Sequence, residues 1–301
     1  MAAEPDAAGV RTAELTIAAL DGFRLAATSV EPAAGRTPAG PGHSVLILAA
    51  TAVRRRYYAR FAGYLAEHGM RVLSFDYRGI GDSRPGSLRG FSARMHEWAR
   101  LDAAGALRHV HEAWGETRPL LVGHSFGGQA LGLLPQPLEA RAALLVAAQS
   151  GYWGHWRGPR RLGMFALWHA AVPLLCRLFG YFPAARLGLG EDLPRGVAEE
   201  WAAWGRLRGY VFEADGGAWK EGYRAVTLPI RAYSFADDTF APRPAVDALL
   251  EGYARAPIER RHLAPAELGA RRIGHWGFFR EGLQSSLWPE ALTWLQQQAR
   301  G

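Results

Sequence analysis

The sequence predicts an α/β fold: a mostly parallel central sheet flanked by helices, with a helical cap inserted into it. Three observations carry that expectation. Short apolar runs, Val45-Leu46-Ile47-Leu48, Val72-Leu73-Ser74-Phe75 and Leu120-Leu121-Val122, recur at intervals that leave room for a helix between successive runs. A long stretch from about Gly151 to Val226 is dense in tryptophan, yet Pro159, Pro173, Pro183 and Pro194 break it repeatedly. Between a strand-like and a helix-like segment stands Gly123-His124-Ser125-Phe126-Gly127, a Gly-x-Ser-x-Gly pattern.

The elements follow in chain order. Leu15 to Val30 alternates around Asp21-Gly22 and reads as a β-hairpin, after which Pro32 to Gly42 reads as a loop. Tyr57 to His68 predicts a helix closed by Gly69. A second helix is expected over Ser92 to Trp114, where Trp98, Leu101, Ala104, Leu107 and Val110 fall at helical spacing. The strand ending at Val122 turns sharply at Ser125 into a helix that Pro135 must stop. Ala142 to Val146 is a fourth strand and Pro229 to Ser234 a fifth, and Leu283 to Gln298 is a closing helix. Residues 151–226 are too long and too apolar for a surface loop, so they read as a mainly helical cap over the carboxyl edge of the sheet. The domain division is then 10–150 and 227–301 for the core, with 151–226 inserted. Leu162 to Phe182 is nearly uncharged and approaches the length of a membrane span, but His169, Pro173 and Arg177 interrupt it. Buried cap helices are the first reading of this segment, contact with a membrane surface the second, and a true span the third.

Bulk composition narrows the function classes. At 301 residues, 49% apolar and 21% charged, the chain is of ordinary globular type. Its single cysteine, Cys176, excludes an intrachain disulfide and makes a reducing, cytoplasmic setting the default. Met1 to Arg11 carries Glu4 and Asp6 and has no apolar core of signal-peptide type, so secretion is not expected. The net charge of +7 comes almost wholly from arginine, scattered in twos and threes without a nucleic-acid-binding motif. That pattern reads as a solvated surface and argues against a nucleic-acid partner. No glycine-rich nucleotide loop precedes a helix, and the histidines lack the spacing of a zinc site, so neither a cofactor nor a metal is expected. Asp76, Asp82 and Asp102 read as partners for arginines and loop N–H groups, and His96, His109, His111 and His124 as locally bonded side chains.

The Gly-x-Ser-x-Gly segment implies nucleophilic chemistry. A serine hydroxyl is a poor nucleophile, so it must sit on a tight turn where a base reaches it and backbone N–H groups meet a developing oxyanion. Gly123 and Gly127 remove side chains where strand and helix close on each other. The base needs an orienting acid, and candidates follow in the order serine, acid, histidine. Phe235-Ala236-Asp237-Asp238-Thr239 lies past the fifth strand, and Ile273-Gly274-His275-Trp276-Gly277 lies ahead of the last helix.

With these pieces, including Ser74-Phe75-Asp76-Tyr77-Arg78-Gly79-Ile80-Gly81-Asp82-Ser83, the chain resembles an α/β-hydrolase carrying an inserted cap over nearly its full length. It is most similar to the lysophospholipase-like and serine-aminopeptidase-like branch, and within it to bacterial predicted hydrolases with the same Asp-Tyr-Arg-Gly-Ile-Gly and Gly-His-x-Gly-Phe-Phe segments. The resemblance implies Ser125 as nucleophile, His275 as general base and Asp238 as acid, since Asp238 matches the Asp-x-x-x-Pro spacing to Pro242. Asp237 is the fallback acid, otherwise a solvated loop carboxylate. The pattern departs at the oxyanion loop, where Ala49-Ala50-Thr51-Ala52-Val53 stands in place of His-Gly. Phe126 N–H and Thr51 N–H are the expected oxyanion donors, with Ala52 next.

The expected activity is cofactor-free cleavage of a carboxylic ester, or of a thioester or amide, through an acyl-enzyme. The tryptophan-rich cap favours an apolar acyl substrate. An acyltransferase with the same triad and a non-catalytic ligand-binding relative are the rival readings. Epoxide and haloalkane hydrolysis are disfavoured because their relatives attack with a carboxylate where this chain has Ser125.

Overall fold

A computed structural model describes residues 9–33 and 43–300. The strands of its main sheet are β1 (Val10–Ala18), β2 (Arg24–Pro32), β3 (Ser44–Leu48), β4 (Arg71–Phe75), β5 (Leu120–His124), β6 (Ala142–Val146), β9 (Ile230–Phe235) and β10 (Ile258–Leu263), while β7 (Tyr181–Phe182) and β8 (Leu193–Pro194) pair apart from it. The eight lie side by side in the order β1-β2-β4-β3-β5-β6-β9-β10. The hairpin β1–β2 is antiparallel and β2 lies antiparallel on β4, whereas every pairing from β4 to β10 is parallel. Strands β3, β5 and β6 are buried at every residue, as expected of parallel strands covered by helices on both faces.

The strand order places the site. From β3 the chain steps outward to β4 and then returns past β3 to form β5, so β3 and β5 are neighbours whose onward connections leave in opposite directions across the sheet. Such a switch point opens a crevice beyond the strand ends. Leu48 is in register with Gly123, which brings the segment after β3 beside the turn after β5.

Several elements differ from expectation. The hairpin is longer than Leu15 to Val30, and Pro32 still belongs to β2; the rest of the predicted loop, from residue 34 to 42, and the first eight residues lie outside the described residues. The second helix begins at Met95 and contains a π-helical stretch, Trp98–Ala103, before Ala104–Trp114. Strand β10 is absent from the sequence expectation because it is an edge strand: Glu259, Arg260 and His262 face solvent and leave no apolar alternation to read.

Between β6 and β9 runs a mainly helical insertion, including Gly158–Ala166, Val172–Phe179 and Arg195–Arg206, with the two-stranded ribbon of β7 and β8 that composition did not predict. The helices from Gly158 to Phe179 run on through a π-helical turn, Leu167–Ala171. The expectation that this segment is buried is wrong. Only Trp168, Val172 and Cys176, spaced at i, i+4 and i+8, are buried along the helical run. Leu162, Leu174 and Leu178 are 72%, 56% and 61% exposed. A helix laid on a protein surface buries one stripe, and here the outward stripe is apolar as well.

Candidate active site

The turn after β5 is set by steric exclusion. A Cβ at Gly127 would lie 2.0 Å from Leu48 O, and one at Gly123 would lie 2.6 Å from Gly127 O. Helix Phe126–Gln129 therefore closes on β3 and β5 only because both positions lack side chains. Ser125 between them takes φ 51° and ψ −111°, a conformation that costs a non-glycine residue on the order of 1–3 kcal/mol. Its amide donates to Val146 O at 2.9 Å, which ties the turn to the end of β6. Phe126 is the first helical residue, so its N–H has no acceptor within the helix.

His275 lies on the loop between β10 and the last helix, and this loop is fastened from three sides. Asp237 accepts the Ile273 and Gly274 N–H groups at 2.9 and 3.0 Å. Tyr57 donates its hydroxyl to Trp276 O at 2.5 Å. His124 Nε2 bonds His275 O at 2.9 Å. Asp238 lies behind the ring, with Oδ2 2.8 Å from His275 Nδ1 and Oδ1 accepting the Phe240 and Ala241 N–H groups at 2.8 and 2.9 Å. The His275–Asp238 pair is almost wholly buried. Asp237 is thus not the solvated carboxylate expected of it: it holds the histidine loop, while Asp238 meets the ring.

The tautomer of His124 follows from its neighbours. A carbonyl oxygen only accepts, so Nε2 must carry the proton toward His275 O. Nδ1 is then an acceptor, and Tyr58 donates to it at 2.9 Å. The same hydroxyl oxygen accepts the Ala50 N–H at 2.9 Å. One fully satisfied chain therefore links the loop after β3 to the backbone of His275. Burial pushes the His124 imidazole well below its ordinary pKa, which keeps it neutral in this chain. The loop itself turns through a Val53 N–H to Ala50 O bond of 3.2 Å, with Ala52 left-handed at φ 63°.

Ser125, His275, Thr51, Ala52 and Gln149 line one cavity of about 510 Å³, closed by Trp156, Trp168, Leu167, Phe182 and Trp201 of the insertion. Asp238 does not line it and Phe126 contributes no wall. The Ser125 hydroxyl points to Gln149 Oε1 at 3.4 Å, and His275 is bonded through Nδ1, leaving Nε2 for the cavity. Gln149 escaped the sequence reading, as did the groups behind it. Gln129 Nε2 donates to Gln149 O at 2.8 Å, Tyr210 OH donates to Gln129 Oε1 at 3.0 Å, and Trp201 Nε1 donates to Tyr210 OH at 3.0 Å. The only available signal was a polar residue just past the carboxyl end of β6, where crevice residues cluster.

The carboxylates after β4 have other partners. Asp76 Oδ1 accepts Arg55 N–H at 2.6 Å, while Oδ2 accepts Asp82 N–H at 3.0 Å and pairs with the Arg55 guanidinium. Asp102 accepts Arg78 Nε at 2.7 Å and Arg78 N–H at 2.9 Å. Among the described residues no group of three or more His, Cys, Asp or Glu side chains forms a metal-binding set.

Residues 41–175 match the family profile described as serine aminopeptidase, S33. No curated protein sequence matches the chain. Among solved structures it is similar to the esterase EaEST of Exiguobacterium antarcticum, with 18% identity and a TM-score of 0.61 over 94% of this chain and 100% of that one. It is also similar to a brefeldin A esterase, a bacterial homologue of human hormone-sensitive lipase, with 16% identity and a TM-score of 0.59 over 100% of this chain and 81% of that one. A hypothetical protein, PA2218 of Pseudomonas aeruginosa, gives 12% identity and a TM-score of 0.65 over 98% and 96%. With the sheet order, the glycine-flanked turn and these likenesses in agreement, the chain has the α/β-hydrolase fold.

Proposed function

We propose that the protein is a serine hydrolase that cleaves a carboxylic ester of an apolar acyl substrate through an acyl-enzyme. The observation that carries the reading is the His275–Asp238 bond of 2.8 Å beside a cavity that also holds the strained Ser125. An acid that accepts at Nδ1 fixes the ring with Nε2 unprotonated, as a general base requires. The walls of the cavity are mainly aromatic and aliphatic, which suits an acyl chain better than a charged peptide. Esterases among the solved structures of similar fold support the same bond type.

In this mechanism the Ser125 hydroxyl rotates from Gln149 toward His275 as substrate enters. Its oxygen attacks the ester carbonyl carbon while Nε2 takes the proton. Negative charge gathers on the carbonyl oxygen, where the N–H groups of Phe126 and Thr51 donate to it. Collapse breaks the bond to the alcohol oxygen, which leaves with the proton from Nε2. Water then attacks the acyl-serine, His275 takes its proton, and the acid departs as Ser125 is restored. Asp238 stays ionised throughout and stabilises the imidazolium.

Labelling with a fluorophosphonate, read by intact mass, tests the reading. One adduct on the native chain and none on Ser125→Ala is the expected result, together with turnover of p-nitrophenyl esters that rises with acyl length until the cavity is full. A folded native chain that takes no label and turns over no ester would overturn it.

A further inference from the structure

We infer that the outward face of the helical run 158–179 docks on an anionic lipid bilayer. The run is 22 residues long and apolar enough to cross a membrane by length and composition, yet only 17% of its most apolar window is buried in the protein. Its inward stripe, Trp168, Val172 and Cys176, is packed against the body of the protein, so the helix is fixed along the surface with its other side outward. Leu162, Phe165, Leu174 and Leu178 stand on that side, and Leu187 of the neighbouring turn is 51% exposed.

Charge says what kind of surface covers this face. From residue 140 to residue 190 the chain contains no aspartate or glutamate, while Arg157, Arg160, Arg161, Arg177 and Arg186 lie within or beside the helical run. The Arg161 guanidinium sits over the Trp153 ring and that of Arg186 over Phe179, at 4.9 and 5.1 Å from the ring centroids, and among the described residues neither is paired with a carboxylate, so each keeps its edge N–H groups for a phosphate. Apolar side chains ringed by arginines match the acyl boundary and the anionic headgroups of a bilayer. The same helix supplies Met164, Leu167 and Trp168 to the cavity that holds Ser125, so docking sets one wall of that cavity at the lipid surface. Entry of an acyl ester from the bilayer rests on the hydrolase reading above, but docking does not.

Sedimentation of the full chain with vesicles tests docking, with Ser125→Ala run beside the native protein to separate binding from chemistry. Both should bind vesicles containing phosphatidylglycerol and bind at least tenfold more weakly to pure phosphatidylcholine or in high salt. The double change Leu174→Ser and Leu178→Ser should weaken binding at least tenfold, whereas Leu20→Ser, at an exposed leucine on the β1–β2 hairpin, should leave it unchanged. Absence of binding to anionic vesicles would overturn the inference. Equal loss with Leu20→Ser would do so as well. So would a stable dimer in lipid-free solution that the Leu174/Leu178 change dissociates, because a second copy would then own the face.

Discussion

Replacing Asp238 with asparagine keeps the side chain's volume and changes a single donor–acceptor relationship. The carbonyl of the new amide can still receive the Phe240 and Ala241 N–H groups that Oδ1 accepts at 2.8 and 2.9 Å. Its nitrogen then faces His275 Nδ1 and can only donate, so the imidazole must accept there and carry its proton on Nε2. A ring in that tautomer cannot take a proton from Ser125. Trapping the wrong tautomer in a serine–histidine–aspartate system costs roughly 10⁴-fold in kcat, or about 5 kcal/mol of barrier, with little change in stability. Asp237→Asn is the matched control. The two oxygens of Asp237 each accept one N–H, from Ile273 and Gly274, and asparagine can serve one of them. One unpaired N–H costs about 1–3 kcal/mol when buried, and Asp237 is partly exposed, so about 1 kcal/mol of stability should be lost with kcat within roughly tenfold of native. Steady-state turnover of p-nitrophenyl butyrate and urea unfolding of both variants separate the two roles. A larger loss of kcat in Asp237→Asn than in Asp238→Asn would refute the assignment.

Tyr58→Phe removes the hydroxyl shared by Ala50 N–H and His124 Nδ1, both buried, and should cost roughly 2–4 kcal/mol in urea unfolding; a loss under about 0.5 kcal/mol would show that the link carries nothing. Because burial lowers the pKa of His124 well below its ordinary 6.5, the unfolded chain binds a proton there that the folded chain refuses. Stability from this residue is therefore complete above about pH 6.5 and is lost as pH falls, at up to about 1.4 kcal/mol per pH unit; His124→Gln should flatten the stability profile between pH 6.5 and 5, and unchanged slopes would contradict it. Gly127→Ala places a methyl 2.0 Å from Leu48 O and should destabilise by more than about 3 kcal/mol, measured by thermal melting, since backbone on both sides must move. A melting temperature within about 2 °C of native would show that the turn has slack.

How legible each part was depended on where its determinants lie. Strands β3, β5 and β6 were readable because burial on both faces writes a continuous apolar run, and Ser125, Asp238 and His275 could be named as candidates because their order along the chain and their glycine or proline neighbours are local. Strand β10 was not, since an edge strand answers to its partner β9 rather than to a core. Leu162, Leu174 and Leu178 were misplaced because hydrophobicity records what a residue would bury, not whether a neighbour arrives to bury it. Tyr58 and Gln129 gave no sign at all, and Gln149 only its place past the carboxyl end of β6, as their roles exist only between segments distant in sequence. Asp237 and Asp238 are adjacent and identical in type; the spacing to Pro242 favoured Asp238 for the ring, but the part Asp237 plays in holding the backbone of the histidine loop is visible only in the folded chain.

Gln129 has a consequence for anyone who would exchange the insertion for another. Its side-chain oxygen takes the Tyr210 hydroxyl, its backbone oxygen takes the Tyr223 hydroxyl at 2.6 Å, and its amide reaches Gln149, whose own side chain meets Ser125. A graft without those tyrosines would leave the Gln129 side-chain oxygen without its donor and its backbone oxygen with only the longer contact to Tyr253, at 3.5 Å, in the buried interior. The insertion and the core are therefore not separable parts. A chimera would have to import Tyr210 and Tyr223 with the new segment, or remodel Gln129 to suit it, before any new specificity could be tried.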